Sequence, residues 1–150
     1  MALTLANGGI RYKLNLVSGT KDANSGVIFE TGKVIEENIA ILPENLKAVH
    51  EGMLAVTSGS QGTLAYIYND FPIEVAGKSG TAEESGSRPS HTWFVGFAPY
   101  DDPEVAVAVV VERGSAGSSV APIARDVIDA YFRIKDAMNK RIPENQLHGY

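Results

Sequence analysis

The sequence predicts an α+β domain in which three antiparallel strands follow one another and pack against a long C-terminal helix. Three observations carry this expectation. The run EVAVAVVVERG (104–114) places Val105, Val107, Val109 and Val111 on one side of a strand and Ala106, Ala108 and Val110 on the other, so both faces need cover. Two further strand-like runs precede it, IEVAGKSGTAE (73–83) and HTWFVGFAP (91–99), divided by a polar Gly/Ser/Pro loop at 84–90 and followed by the turn YDDP. Beyond it, Val120, Ile123, Ala124, Val127, Ile128, Tyr131 and Ile134 recur at helical spacing as one wide apolar face.

The remaining elements follow in chain order. Residues 1–6 read as the last turns of a helix stopped by Asn7-Gly8-Gly9, and a helix whose apolar residues are in place from residue 1 is expected to have begun earlier. Residues 10–40 contain short strand-like pieces at 27–29 and 33–35. Pro43 suits the first position of a helix carrying Leu46, Val49, Met53 and Val56 inward and ending at Gly59. Ser118 or Ser119 is expected to cap the last helix, with Pro122 in its first turn, and the tail 140–150 is polar and expected to fray. The last helix can cover only one side of the valine strand, and the helix from Pro43 does not reach all of the other. Its cover is expected to be incomplete.

Composition narrows the function classes. The 150 residues are 44% hydrophobic and 21% charged, as expected of one globular domain. A net charge of −5 argues against nucleic-acid binding, which needs clustered Lys and Arg. There is no cysteine, so disulfides and thiolate chemistry are excluded. His50, His91 and His148 lack metal-ligand spacing, and neither a metal nor another cofactor is expected. No apolar run reaches the roughly 18 residues of a membrane span, and the N-terminus lacks the basic start of a signal peptide.

The stretch VAGKSGTAE (75–83) is the one that carries chemistry. Gly80 lets an extended ligand lie against the strand, Lys78 supplies positive charge, and Ser79 and Thr81 supply hydroxyl donors for a carboxylate. Alone, Lys-Ser-Gly is a weak signal, because a surface turn has the same composition. Glu83 and Glu84 are not an acid/base pair, since neighbours on a strand point to opposite faces.

With its surroundings, the stretch resembles the class B penicillin-binding proteins, the peptidoglycan D,D-transpeptidases of cell-wall synthesis in cell shape and division. LANGG (5–9) with NLV (15–17), GKSGTAE, HTWFVGFAP, DDPEVAVAVVVERG and APIARDVIDAYF (121–132) resemble successive family segments in the family's order over about 130 residues. The departures matter as much. The family's Ser-x-Asn motif does not occur, and the one Ser-x-x-Lys, SGTK at 18–21, follows LANGG instead of preceding it and lies in a polar loop with no helix to hold it.

The resemblance therefore implies that residues 1–150 are the C-terminal portion of a β-lactamase/transpeptidase-like fold, with the nucleophile on preceding sequence. It implies that Lys78 and Thr81 are catalytic, through positive potential and an oxyanion-hole N–H respectively, and that Ser79, Gly80 and Thr81 bind substrate. His91 and Trp93 stand at the start of the next strand near that cleft, where packing and hydrogen bonding are the plainer roles. The implied partners are a stem peptide or a β-lactam, the remainder of the transpeptidase domain and, for the isolated chain, a second copy. The implied location is the extracytoplasmic face of the bacterial cell membrane, with an anchor on preceding sequence. Without its nucleophile the isolated chain is expected to be inactive. A non-catalytic peptide- or partner-binding module and a serine β-lactamase fragment are the alternatives.

Overall fold

The valine strand becomes one side of a three-stranded antiparallel sheet, and nearly everything well buried in the chain lies against that sheet. The computed structural model describes residues 1–83, 89–114 and 116–140. In chain order these form α1 (Ala2–Ala6), β1 (Ile10–Tyr12), β2 (Gly19–Lys21), β3 (Ile28–Glu30), β4 (Ile35–Asn38), α2 (Pro43–Ser58), α3 (Ala65–Tyr68), β5 (Ala76–Ala82), β6 (His91–Ala98), β7 (Val105–Val111), a 3-10 turn (Gly117–Val120) and α4 (Ala121–Asn139). The sheet order is β5-β6-β7, while β1 pairs with β4 and β2 with β3 in two small separate ladders.

One face of the sheet holds the larger core. Phe94, Ala98 and Val107 pack there with Val120, Ala121, Ala124 and Ile128 of the turn and α4, and with Leu64, Ile67 and Tyr68 around α3. Two interactions tie α3 to α4. The Tyr68 hydroxyl donates to the Ala121 carbonyl at 3.2 Å. Arg125 donates to the Ile67 carbonyl at 2.6 Å, pairs with Asp70 at 3.0 Å and lies 5.2 Å from the centre of the Phe71 ring. The opposite face holds a smaller cluster of Met53, Ala76 and Phe97 under Leu5, Ala6 and Ala106. There the His50 ring packs at a tilt against Phe97, 4.8 Å between centres, and meets the Leu5 carbonyl at 2.9 Å.

The three strands, α1, α2 and α4 form where the sequence predicts them, to within three residues at each end. Five expectations need correction or completion. Neither Ser118 nor Ser119 caps α4: Val120 is its N-cap, and both serines sit in the 3-10 turn, where Ser119 Oγ donates to the Ala116 carbonyl at 2.7 Å. Within the α4 stripe only Val120, Ala124 and Ile128 are fully covered, whereas Ile123, Val127, Tyr131 and Ile134 are exposed, because a three-stranded sheet is too narrow to shade the whole helix face. On α2, Val49 is exposed and its expected place is taken by His50 and Thr57, polar residues whose hydrogen bonds are made internally. Strands β3 and β4 begin one and two residues later than the pieces at 27–29 and 33–35, and their partners β2 and β1 have no strand signal of their own. Helix α3, with buried Leu64, Ile67 and Tyr68, is too short to show a period. Most of the expected loop at 84–90 and nearly all of the tail 140–150, including His148, lie outside the described residues.

The incomplete cover of β7 is real: Val110, on the face away from α4, remains 48% exposed.

Two stability tests follow. A Cβ at Gly77 would stand 2.4 Å from Cζ of Phe94, so Gly77→Ala must displace a fully buried ring. We expect a loss of about 1–3 kcal/mol in urea denaturation. Burial raises the Tyr68 phenol above its ordinary value, against a smaller opposing effect of the Arg125 charge. With the folded value raised, the stability it contributes is complete below the unfolded phenol's pKa of about 10 and is lost as pH rises beyond it. Denaturation midpoints should fall above that pH in the wild type, and less in Tyr68→Phe.

Candidate active site

The register of the sheet sorts the candidate residues onto two faces. Opposite β5, Ala76 pairs with Phe97, Lys78 with Val95, Gly80 with Trp93 and Ala82 with His91, and β7 continues these rows with Ala106, Ala108 and Val110. Gly77, Ser79 and Thr81 belong to the other face, in rows with Gly96, Phe94 and Thr92, on the side of α4. Lys78 and the two hydroxyls therefore leave the strand in opposite directions. A single ligand can meet both only along the outer edge of β5, and among the described residues that edge has no strand partner.

The strand is held firmly at its start. The buried hydroxyl of Thr57 on α2 reaches the carbonyl of Val75, and both residues are almost fully covered. Further along, cover thins. Lys78 is exposed, its Nζ donates to the carbonyl of Ser79, and no carboxylate pairs with it among the described residues. Ser79 is half-buried and Thr81 exposed, with the Thr81 Oγ1 accepting from the Gly117 N–H at 3.2 Å.

Gly80 differs from the other glycines of the sheet. A Cβ at Gly77 or Gly96 would strike the Phe94 ring, so packing demands those two glycines. A Cβ at Gly80 would meet nothing nearer than Trp93 Cβ, at 3.8 Å, which is ordinary contact. Internal packing does not explain Gly80. Its bareness leaves the strand open to close approach from outside.

The structure places His91 and Trp93 on the Lys78 face. Trp93 sits across from Gly80 and is 44% exposed, while the half-buried His91 accepts the Arg113 N–H on Nδ1 at 3.3 Å. Arg113 has a φ of 54°, in the left-handed region, where β7 turns back toward the 3-10 turn. The SGTK stretch folds largely as β2, in an exposed hairpin with β3. Ser18 stands just before the strand and Lys21 at its end, both exposed, with no helix to hold them as a nucleophile–base pair. Among the described residues no group of His, Asp or Glu could hold a metal, and no helix is long and apolar enough to cross a membrane.

Residues 1–129 match the model of the penicillin binding protein transpeptidase domain. The chain belongs to this family. It is 34% identical over 144 residues to the peptidoglycan D,D-transpeptidase PbpA of Mycolicibacterium smegmatis, covering 89% of this chain and 28% of that protein. The PbpA of Mycobacterium tuberculosis is 36% identical over 145 residues, with 87% and 27% covered. Among solved structures, an imipenem acyl-enzyme complex of the M. tuberculosis protein superposes with a TM-score of 0.72 at 34% identity, over 87% of this chain and 29% of that one. The D,D-transpeptidase domain of a peptidoglycan glycosyltransferase from Eggerthella lenta gives 0.74 at 31%, over 89% and 30%. The chain thus spans less than a third of the length of these relatives. Their names favour the transpeptidase reading over the binding-module alternative.

Sequence reasoning missed the role of the β7–α4 connection. Its signal was there in the glycines of ERGSAGSS (112–119), but these were legible only as turn and cap residues until the sheet brought Gly117 onto Gly80 and Thr81.

If Gly80 is bare for a ligand and not for packing, Gly80→Ala should leave folding stability within about 0.5 kcal/mol of wild type. Urea denaturation beside Gly77→Ala checks this directly; a loss as large as that of Gly77→Ala would return Gly80 to the core.

Proposed function

We propose that this chain is the part of a peptidoglycan D,D-transpeptidase that contributes the Lys-Ser-Gly strand to the active site. The observation that carries the proposal is β5 itself: an edge unpartnered among the described residues, with a lysine on one side, two hydroxyls on the other, and between them a glycine that packing does not require. Family membership supplies the reaction.

In this reading a serine from the remainder of the transpeptidase domain attacks the carbonyl between two terminal D-Ala residues. The leaving D-Ala takes a proton, and an amine from a second stem peptide then displaces the serine to form the cross-link. A β-lactam is attacked at its ring carbonyl in the same way and stays attached. Lys78 provides positive potential and aids the proton relay. Ser79 and Thr81 hold the substrate carboxylate, and the Thr81 N–H is one of two donors to the oxyanion. Trp93 and His91 border the cleft on the Lys78 side. The chemistry takes place on the extracytoplasmic face of the cell membrane, where peptidoglycan lies, with the anchor on sequence outside these 150 residues.

Acylation of the full-length protein tests the assignment. Lys78→Ala should slow acylation by penicillin by about 10²-fold or more, since it removes both a charge-assisted contact and a proton-transfer group. Lys78→Arg should recover little, because guanidinium keeps its proton. Ser79→Thr should be nearly silent. Near-wild-type rates for both lysine variants would remove β5 from the active site. The 150-residue chain alone should take no label from a fluorescent penicillin, and a stoichiometric adduct on Ser18 would reverse the rejection of SGTK.

The same chain should self-associate. The outer edge of β7 has no strand partner among the described residues, and exposed Val110 and the Val127–Tyr131–Ile134 stripe of α4 lie on its two faces. Light scattering should show mass rising with concentration; a monomer throughout would mean these surfaces are tolerated by water.

A further inference from the structure

We propose that Gly117 is a positioning residue for the carboxylate subsite: its main-chain N–H engages the Thr81 oxygen so that the hydroxyl hydrogen is left for the ligand. This inference deepens the transpeptidase reading and rests on it.

The 3-10 turn from Gly117 lies directly on the far end of β5. A Cβ at Gly117 would come 2.8 Å from the Gly80 carbonyl oxygen and 3.1 Å from its carbonyl carbon and its nitrogen. Those are main-chain atoms of a paired strand and cannot swing aside, so only glycine allows the approach. What the approach achieves is the 3.2 Å bond from the Gly117 N–H to Thr81 Oγ1. Gly114 repeats the pattern one strand over, where a Cβ would stand 2.3 Å from Oγ1 of the buried Thr92, the register partner of Thr81. Two glycines thus press the β7–α4 connection onto the Thr81–Thr92 row.

A threonine hydroxyl has one hydrogen and two lone pairs. On a strand it can spend that hydrogen on a nearby carbonyl and offer a ligand only a lone pair, which a carboxylate cannot use. A fixed N–H donor removes that ambiguity: the oxygen accepts from Gly117, and the hydrogen turns away from the donor. A carboxylate, which only accepts, is the matching ligand group. Among the described residues Ser79 has no such donor, so the two hydroxyls of the motif differ in preparation.

The test compares acylation of the full-length protein by benzylpenicillin and by its methyl ester, which keeps the reactive ring and lacks the charge. Gly117→Ala should lower the rate constant for benzylpenicillin by roughly 10-fold while changing that for the ester little, so that the preference for the free carboxylate collapses. Thr81→Ser should keep the preference. Equal losses for both compounds would make Gly117 purely structural and overturn the proposal, as would an unchanged preference. A second measurement avoids any change at Gly117: its amide in the 150-residue chain should exchange slowly with deuterium, quickly in Thr81→Val and slowly again in Thr81→Ser. Fast exchange in the wild type would equally overturn it. If benzylpenicillin fails to acylate the wild-type protein at all, the transpeptidase reading has failed, and this inference falls with it.

Discussion

The ring of Phe94 holds this structure in register. It is fully buried at the middle of the central strand, and its atoms occupy the space that side chains at Gly77 and Gly96 would need. Slipping β5 by one residue would bring Ala76 or Lys78 under the ring in place of Gly77, so the pairing that sets Lys78 opposite Val95 and Gly80 opposite Trp93 is fixed by volume. The same ring stacks on Tyr68 at 6.3 Å, and Tyr68 reaches the backbone at the start of α4. Core, strand register and helix docking therefore meet at one aromatic side chain, and the placing of Lys78, Gly80 and Thr81 depends on it.

That arrangement divides labour along β5. Its first residues, Ala76 and Gly77, are buried and serve packing; from Lys78 onward none is buried, and packing does not explain them. The lysine and the hydroxyls are forced to opposite faces by the period of the strand, so neither can act with the other except at the edge. An edge strand is ordinarily a hazard that proteins cover or charge. Here one side carries a charge and the other a preset hydroxyl, which suits an extended anionic ligand better than a neighbouring strand.

Much of this was legible in sequence because the signals were strong and local. Alternation in EVAVAVVVERG gave a strand with two apolar faces, and Pro43 with Gly59 bracketed α2 to the residue. The order of LANGG, GKSGTAE and HTWFVGFAP carried the family, which chemistry on the tripeptide could not have done. What escaped was settled by tertiary contacts. Strands β1 and β2 are three residues long and stand only because β4 and β3, further along the chain, complete their ladders, as general loop-closure costs allow. Ile123, Val127 and Tyr131 follow the helical period as faithfully as Ala124 and Ile128, and only the width of the sheet separates exposed from buried. Gly117 was invisible for a different reason. Its partner lies on β5, two strands across the sheet from β7 and 36 positions away in sequence, and no local pattern links them.

The bare surfaces of the sheet and the proposed site share one face. Trp93 and Val110 share the Lys78 face, and in the described residues the second cluster of Met53, Ala76 and Phe97 covers only the end of that face nearer α2. Beyond it comes the row of Lys78, and next to that row stand the exposed Trp93 and Val110. In the proposed function, a catalytic serine that meets Lys78 approaches over this face, and whatever carries that serine covers Trp93 and Val110 as it does so. Apolar burial and delivery of the nucleophile would then be one event, with the hydrophobic effect supplying the docking energy and the lysine marking where the docked surface must end. On the other face α4 and the 3-10 turn cover the core around Phe94, and there the hydroxyl of Thr81 is already held by its own chain.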